Sequence, residues 1–449
     1  MIIQDIHDAN IEREDFWKFF ESNNIKLASN NKLKPYIYRL SPGCLTCLNG
    51  TWSCLHLNRS CTRNCFYCPQ ERPRKGEIFP SPHDLPVEFQ SVQEYIEYLK
   101  MFPFNGIGIS GGEPFLAFDL LVQYIGEIRN AFGSRYYIWV YTNGDLVTEE
   151  RLDLLARIGL DEIRFDLSAN GYNLDPVRLA TNHIKTVTIE IPAIPEDVEI
   201  VKALLKQLEN LGVKYINIHQ LHASKYNREQ LSDRGYLFSK DLDFACVIDS
   251  ELAAYSILQY AIDMGLQIGV NYCSFRYKQM FQGSASLKRL APLCQDEAES
   301  ITNTGFLRRY SFVDSNEEMV PPSHFESALL AEPYRPIRVT YLRPEAKDMP
   351  NDCEASSNIL KFGSMKVVIN KTKSTEFTLD NRISALLFHN IFIKNNGEGQ
   401  SSGMMNLLSA ESSQKNEFQE YIKKFYANFE YYEYIPEHLP SYVSELNAN

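Results

Sequence analysis

The sequence predicts an α/β fold in which short apolar strands alternate with amphipathic helices over residues 51–271. Runs rich in β-branched and aromatic residues recur between stretches of helical periodicity, and turn residues such as Asn143-Gly144 separate them. Strands and helices at this spacing are typical of parallel βαβ units, which build both doubly wound sheets and barrels. With 449 residues, 44% of them hydrophobic, the chain can bury a large core and form two or three domains.

Each helix and strand is predicted from the hydrophobic pattern of its own residues. An amphipathic helix at 11–20 precedes the alternating region, and a strand at 51–57 opens it. The strand at 106–110 ends in a Gly-Gly turn, and the strand at 137–141 is rich in β-forming residues. The same patterns predict further strands at 162–167, 186–191, 215–221 and 266–271, and helices at 92–101, 118–132, 149–157, 195–211 and 252–264.

Beyond residue 294 the alternation fades, which indicates a different domain. Strand-like runs occur at 337–341 and 365–369, a polar loop at 395–402 and a helical run at 414–425. We therefore predict an N-terminal extension over residues 1–50, an α/β domain over 51–294 and a C-terminal α+β domain over 295–449. Substrate binding is our hypothesis for the last of these.

The charge balance and the start of the chain limit the classes of function. A formal net charge of −12 is opposite in sign to that of most proteins that bind a nucleic-acid backbone, so we expect no nucleic-acid partner. The first residues lack the basic and apolar regions of a signal peptide, and no run approaches the roughly 20 apolar residues that span a bilayer. We therefore expect a cytoplasmic protein without a membrane partner, whose ten cysteines serve metal binding or catalysis rather than disulfides.

Cys61, Cys65 and Cys68 form a CxxxCxxC triplet after the first predicted strand. Three thiolates within eight residues can bind three irons of a [4Fe–4S] cluster and leave the fourth iron open to another ligand. Clusters that only transfer electrons usually have four cysteines. Two alternatives are a thioredoxin-type pair of Cys65 and Cys68, which leaves Cys61 without a role, and a structural zinc site completed by Cys44 and Cys47.

The triplet resembles the signature of the radical S-adenosylmethionine (SAM) superfamily, whose members bind SAM at the open iron. The resemblance covers residues 50–280 and implies a partial TIM barrel, (β/α)6, with a [4Fe–4S] cluster and SAM as cofactors. The run Gly111-Gly112-Glu113-Pro114 ends the second predicted strand, where the family has a run that lines SAM. By this resemblance, cofactor contacts are assigned to Tyr67, Gly111, Gly112, Glu113, Thr142 and Ser168. A plain strand-to-helix turn and simple packing of the Tyr67 ring are the alternatives.

The remaining cysteines suggest a second site. Cys44 and Cys47 precede the first predicted strand, and Cys273 and Cys294 follow the last one. Because the two ends of an open barrel can approach each other, we interpret these four cysteines as ligands of an auxiliary iron–sulfur cluster or zinc. The alternative is that some of them are buried small hydrophobic residues. His219 and His222 follow the sixth predicted strand and are candidates for substrate contact, although a hydrogen-bonded structural histidine is the commoner case.

The elements around Cys44 and Cys273 also resemble a group related to pyruvate formate-lyase activating enzymes. The superfamily resemblance implies that a flavodoxin or ferredoxin reduces the cluster and that SAM is cleaved to a 5′-deoxyadenosyl radical, which abstracts hydrogen. From the acidic charge and the C-terminal domain we expect a peptide or protein substrate, with a small metabolite as the second choice. The stretch Asp5–Asn10 breaks the cobalamin-binding pattern at its last position, so no cobalamin is expected. A non-catalytic iron–sulfur or zinc protein is the alternative of another class.

Overall fold

The computed structural model describes residues 6–28, 32–70, 79–239, 245–312, 337–347 and 358–379. These residues divide into two compact units, and the first comprises residues 1–283 with 360–367. The second comprises residues 284–359 and 368–449. The polar loop predicted at 395–402 and the helix predicted at 414–425 lie outside the described residues.

Helices and strands alternate through the first unit, as the sequence predicts. Its helices are α1 (Ile6–Ser22), α2 (Pro42–Leu48), α3 (Val92–Met101), α4 (Phe118–Phe132), α5 (Glu149–Arg157), α6 (Asp175–His183), α7 (Val198–Asn210), α8 (Arg228–Ser232), α9 (Ile248–Asp263) and α10 (Phe275–Tyr277). Its strands are β1 (Lys26–Leu27), β2 (Pro35–Ile37), β3 (Trp52–His56), β4 (Ser81–Pro82), β5 (Gly106–Ser110), β6 (Tyr137–Thr142), β7 (Glu162–Phe165), β8 (Thr186–Pro192), β9 (Tyr215–His219), β10 (Phe238–Ser239), β11 (Cys246–Val247) and β12 (Gly269–Cys273).

The main sheet of this unit is mixed but mostly parallel. Its described strands lie in the order β1-β2-β12-β9-β8-β7-β6-β5-β3-β4. From β3 to β12 the neighbours are parallel and follow the chain order, so each βα unit adds its strand beside the previous one. The edge strands β4 and β2 pair antiparallel with β3 and β12. The predicted α/β class is thus confirmed, whereas the antiparallel edges and helix α6 were not predicted.

Helix α2 covers one face of this sheet because the strands beneath it carry small residues. Ser41 caps the helix by accepting a hydrogen bond from the Cys44 backbone N–H. A Cβ atom placed on Gly106 would lie 2.8 Å from Oγ1 of Thr46, so this glycine is needed for the close approach. Ile107 and Ile109, on the opposite face of β5, are fully buried. Both faces of the central strands are therefore covered.

An antiparallel sheet follows helix α11 (Ser284–Cys294), and its residues belong to the second unit except those within 360–367. Its strands are β13 (Glu299–Ile301), β14 (Leu307–Phe312), β15 (Ile337–Lys347), β16 (Asn358–Phe362) and β17 (Met365–Leu379). Their order is β13-β14-β15-β17-β16, and the register of β15 on β17 shifts between Arg343 and Pro344. The strand-like runs predicted at 337–341 and 365–369 are confirmed. Within the described residues no helix is long and apolar enough to cross a membrane.

Candidate active site

The loops that follow β3, β5, β6 and β7 meet at one edge of the main sheet. Parallel strands end at the same edge, and α/β folds place their functional groups there. The triplet Cys61, Cys65 and Cys68 lies in the loop after β3, and Gly111 follows β5. Thr142 ends β6, while Asp166 and Ser168 follow β7. The structure thus places the predicted cluster ligands and cofactor contacts at one edge.

The glycine run after β5 packs directly on the backbone that leads into the triplet. The Gly112 N–H donates to Asn58 O at 3.0 Å, and the Glu113 N–H donates to Ser60 O at 2.7 Å. A Cβ atom on Gly112 would lie 2.0 Å from Ser60 O. Gly111 has φ +146°, and its added Cβ would lie 2.5 Å from Asn58 O. Both positions therefore require glycine, and the contact fixes the start of the triplet loop.

Glu113 joins the loops after β5 and β6. Its carboxylate is 1% exposed and accepts hydrogen bonds from Phe115 N–H at 3.0 Å, Thr142 Oγ1 at 2.9 Å and Asn143 N–H at 2.8 Å. Burial raises the pKa of Glu113 despite these three donors. The carboxylate therefore braces two loops of the site, and its predicted contact with SAM stays a prediction.

The two ends of the triplet loop are held by different partners. At the start, Arg63 forms two hydrogen bonds of 2.6 Å with the Asp145 carboxylate. The Asn143 side-chain amide donates to Thr62 Oγ1 at 2.8 Å and lies 3.8 Å from the Cys61 sulfur. These contacts fasten the loop to the end of β6. Arg63 and Asp145 were not predicted as site residues, because a charge pair separated by 82 residues leaves no local pattern in the sequence.

At the far end of the loop, Tyr67 is held on both its side chain and its backbone. Its hydroxyl lies 2.9 Å from Oδ2 of Asp166 and 2.7 Å from Oγ of Ser168. The carbonyl of Tyr67 accepts a hydrogen bond of 2.9 Å from the side-chain amide of Asn227. Arg234 stacks over Phe66 at 3.6 Å from the ring centroid. Asn227 and Arg234, which were not among the predicted site residues, therefore clamp the segment that precedes Cys68.

The three triplet thiols differ in exposure. Cys61 and Cys68 are exposed, whereas Cys65 is half-buried. Burial, together with the neighbouring Asp166, Cys68 and Cys61, raises the pKa of Cys65 to about 11 against the lowering effect of a Tyr67 hydrogen bond. Among the described residues no group of three or more His, Cys, Asp or Glu side chains is already disposed as metal ligands. The donor set still fits a [4Fe–4S] cluster, because three thiols lie within eight residues of one loop, whose start is held by glycine packing.

The other predicted cysteine group is only partly brought together. Cys44, Cys47 and Cys273 lie in the first unit and all interact electrostatically with the Lys34 ammonium. The side-chain amide of Gln282 donates to the Cys47 sulfur at 2.8 Å. Cys294 belongs to the second unit, and its thiol lies 3.5 Å from Leu290 O in its own helix. A metal at these four cysteines stays a prediction.

A buried polar network lines the sheet face that carries Cys273. The Arg164 guanidinium bridges Glu162 at 2.9 Å and Glu190 at 3.2 Å. Burial would raise the pKa of Glu190, but His219 and Arg164 outweigh it and hold the pKa well below its usual range. His219 contacts the Glu190 carboxylate through Nε2. His219, a predicted candidate for substrate contact, is thus part of a charged network rather than an isolated histidine.

Residues 55–173 match the radical SAM superfamily model. The chain carries a radical SAM domain and is a radical SAM enzyme, a class that uses a [4Fe–4S] cluster and SAM. This confirms the superfamily predicted from the triplet and the Gly-Gly-Glu-Pro run. It leaves the assigned contact of each residue as a prediction.

Two curated relatives extend this comparison. The chain is 29% identical over 290 residues to a protein of Methanocaldococcus jannaschii named "Putative glycyl-radical enzyme activating enzyme"; the match covers 62% of this chain and 75% of the relative. It is 31% identical over 117 residues to the S-adenosyl-L-methionine-dependent 2-deoxy-scyllo-inosamine dehydrogenase of Niallia circulans. That match covers 24% of this chain and 41% of the relative.

The solved structures that align with this chain are less similar to it in sequence than the two curated relatives. SuiB of Streptococcus suis bound to S-adenosylmethionine aligns with 12% identity over 51% of this chain and 56% of that chain, at a TM-score of 0.35. A TM-score this low carries no argument about function. The relation to activating enzymes therefore comes from sequence similarity.

Proposed function

We propose that this radical SAM enzyme abstracts a hydrogen atom from a peptide or protein substrate. Two observations support a macromolecular substrate. The relative from Methanocaldococcus jannaschii is named for activation of another enzyme, and the acidic chain has a second unit beyond the radical SAM match. The observation that carries the radical chemistry itself is the fit of Gly111-Gly112 against the backbone that enters the cysteine triplet.

The chain's own residues prepare the site in three ways. Cys61, Cys65 and Cys68 would hold the cluster, which together with SAM supplies a carbon-centred radical when both are bound. Glycine packing and the Glu113 brace fix the position of the triplet loop. Tyr67 and Ser168 present hydroxyl groups beside the same loop, where they would serve as hydrogen-bond partners for bound SAM.

Water exclusion is assigned to the segment between β9 and α9. Leu221, Leu231, Tyr236 and other buried residues of this segment form an apolar cluster against which Phe66 and Tyr67 pack. A reactive radical must be shielded from solvent, and an apolar wall beside the triplet loop serves that purpose.

The finer parts of the proposal concern architecture and partners. We propose that the parallel strands curve into a partial (β/α)6 barrel, since sheet order and chain order coincide from β3 to β12. The compact units divide at Gly283, and the predicted domain bounds at 50/51 and 294/295 stay a prediction. The proposal includes a flavodoxin or ferredoxin as electron donor, no cobalamin, and a reducing cytoplasmic location in keeping with free cysteines.

A small-molecule substrate is the second candidate. It is favoured by the similarity to the Niallia circulans protein, which is named as a dehydrogenase of 2-deoxy-scyllo-inosamine. The two candidates differ in the source of the abstracted hydrogen. When turnover is run with a peptide fraction or a small-molecule fraction from deuterated cells, deuterium should appear in 5′-deoxyadenosine only with the fraction that contains the substrate.

Anaerobic reconstitution with iron and sulfide, followed by dithionite and SAM, tests the proposed chemistry. We expect 5′-deoxyadenosine to form with the wild-type chain and the Cys246→Ser control, and to be absent with Cys65→Ala. Cys246 is a buried cysteine in β11, away from the triplet in sequence. Full 5′-deoxyadenosine formation by Cys65→Ala, or none by a wild-type chain that has bound its iron, would overturn the proposal.

A further inference from the structure

Two N–H groups lie next to the sulfur of Cys61, the first cysteine of the triplet. The backbone N–H of Arg63 donates to Cys61 Sγ at 3.4 Å, and the side-chain amide of Asn143 donates to the same sulfur at 3.8 Å. Asn143 directly follows β6 and is only 6% exposed, whereas Cys61 is exposed. A buried amide at the end of a neighbouring strand thus reaches a predicted cluster ligand.

The other partners of Asn143 fix the orientation of its side-chain amide. Asn143 Oδ1 accepts a hydrogen bond of 3.0 Å from the Asp145 backbone N–H, as in an Asx turn. The Thr62 hydroxyl donates to Asp145 Oδ2 at 2.8 Å, so its oxygen is left to accept an N–H of Asn143, also at 2.8 Å. A side-chain amide has two N–H groups, and the second one of Asn143 faces the Cys61 sulfur.

The backbone of Asn143 is held by two further loops. Its N–H donates to Glu113 Oε2 at 2.8 Å, and its carbonyl accepts a hydrogen bond of 2.9 Å from Asn170 Nδ2. Glu113 lies in the loop after β5 and Asn170 in the loop after β7. The position of the amide is therefore set by the surrounding loops and does not depend on the sulfur that it faces.

We propose that the Asn143 side-chain amide, together with the Arg63 backbone N–H, sets the reduction potential of the cluster that the triplet would hold. The inference rests on the proposed function and deepens it, because it names the residue that controls electron entry. Reduction transfers one electron from the flavodoxin or ferredoxin to the cluster, breaks no bond and increases the negative charge on the ligand sulfurs. An N–H group that faces such a sulfur stabilises the reduced form more than the oxidised form and raises the potential.

Asn143→Ser tests the proposal because serine can keep the turn while it removes the amide. A serine hydroxyl can accept the Asp145 N–H, as Asn143 Oδ1 does, but it has no N–H group for the sulfur. The measurement is a redox titration of the reconstituted chain, followed by EPR in the absence of SAM. We expect the equilibrium constant for cluster reduction to fall roughly three- to tenfold, which lowers the potential by about 30–60 mV for a one-electron couple.

Two control variants separate this contact from other effects on the triplet loop. Asn64→Ser makes the same substitution at an exposed asparagine of that loop and should keep the wild-type potential. Thr62→Val removes the hydroxyl that joins Asn143 to Asp145 but leaves the Asn143 amide beside Cys61. It should therefore change the potential less than Asn143→Ser does. An unchanged potential in Asn143→Ser, or an equally large shift in Thr62→Val, overturns the proposal.

A second measurement detects the contact itself. In protein labelled with 15N at its asparagine side chains, pulsed EPR of the reduced cluster should show a coupled 15N nucleus in the wild type and in Asn64→Ser, and none in Asn143→Ser. A cluster-loaded wild-type protein without this coupling overturns the proposal, even if Asn143→Ser does not fold. A wild-type chain that binds no cluster overturns the proposed function together with this inference, whereas a bound cluster without the coupling overturns this inference alone.

Discussion

Replacing Gly112 with alanine introduces a single methyl group at the tightest contact of the site. The new Cβ would lie 2.0 Å from Ser60 O and 2.4 Å from Ser60 C, and real Cβ contacts essentially never fall below 3.0 Å. Both opposing atoms are backbone atoms, so no side-chain rotation relieves the overlap. The two loops must therefore separate by about 1 Å, the difference between the clash and the closest tolerated contact.

This separation has a calculable consequence for the hydrogen bonds between the loops. The bond from Glu113 N–H to Ser60 O is 2.7 Å long, and a further ~1 Å takes it beyond the range of an N–H···O bond. Two such bonds join the loops. Losing them and relieving the overlap would lower the free energy of unfolding by about 2–6 kcal/mol, from roughly 0.5–1.5 kcal/mol for each bond and about 1–3 kcal/mol for overpacking.

The assay compares Gly112→Ala with Gly126→Ala. Gly126 lies inside helix α4, and its added Cβ would meet nothing within 4 Å. The control should therefore be as stable as the wild-type protein or more stable by about 0.5–1 kcal/mol. We expect Gly112→Ala to lower the melting temperature, the iron content after reconstitution and SAM cleavage. A Gly112→Ala protein with wild-type iron content and melting temperature would refute the reasoning.

Three further changes test the supports of the site. Arg164→Met leaves Glu162 and Glu190 without their buried cation, and should lower the free energy of unfolding in urea by about 3–5 kcal/mol. Asn227→Ala removes the donor to the carbonyl before Cys68, and should change the EPR spectrum of the reduced cluster and weaken SAM binding. For Asp145→Asn, the test is how the loss of stability depends on pH. Hydrogen bonds from Arg63 lower the pKa of Asp145, so its contribution to stability is complete above the unfolded pKa of about 3.9 and is lost as the pH falls below that value.

Each of these changes has a control. Arg178→Met and Asn182→Ala alter exposed positions of helix α6 and should leave unfolding and the cluster spectrum unchanged. For Asp145→Asn, the melting temperature is compared with that of the wild type from pH 6 to pH 3, and the difference should shrink toward acid pH. A constant difference over this range would show that the ion pair with Arg63 is not its source. Wild-type urea stability of Arg164→Met would likewise contradict the role assigned to that guanidinium.

The sequence predicts the parallel strands well, because each strand has a local apolar run and a turn signal. It also predicts that the triplet and Gly111-Gly112 share an edge, since both follow consecutive strands. Helix α6 escapes prediction for a physical reason. It is short, only Val177 and Ala180 are buried, and its first residues, Asp175-Pro176, are also typical of a turn.

The partners that complete the site leave weaker traces in the sequence. The Lys34 side chain lies in a polar N-terminal stretch where a lysine normally faces solvent, and its burial depends on Asn271, 237 residues away. Glu162 and Arg164 alternate with apolar residues in β7, a pattern that also describes a solvent-facing side of a strand. Only helix α2, which covers that face, turns these charges into a buried network.

The clamp on the triplet loop also sets an order of events during synthesis. Asn227 and the Tyr67 carbonyl are separated by 160 residues, and Arg63 and Asp145 by 82. The loop therefore cannot adopt its described conformation on a nascent chain until the segment after β9 has left the ribosome. A cluster delivered earlier would meet three thiols on an unfixed loop. We therefore expect cluster insertion to follow the formation of these contacts between distant parts of the chain.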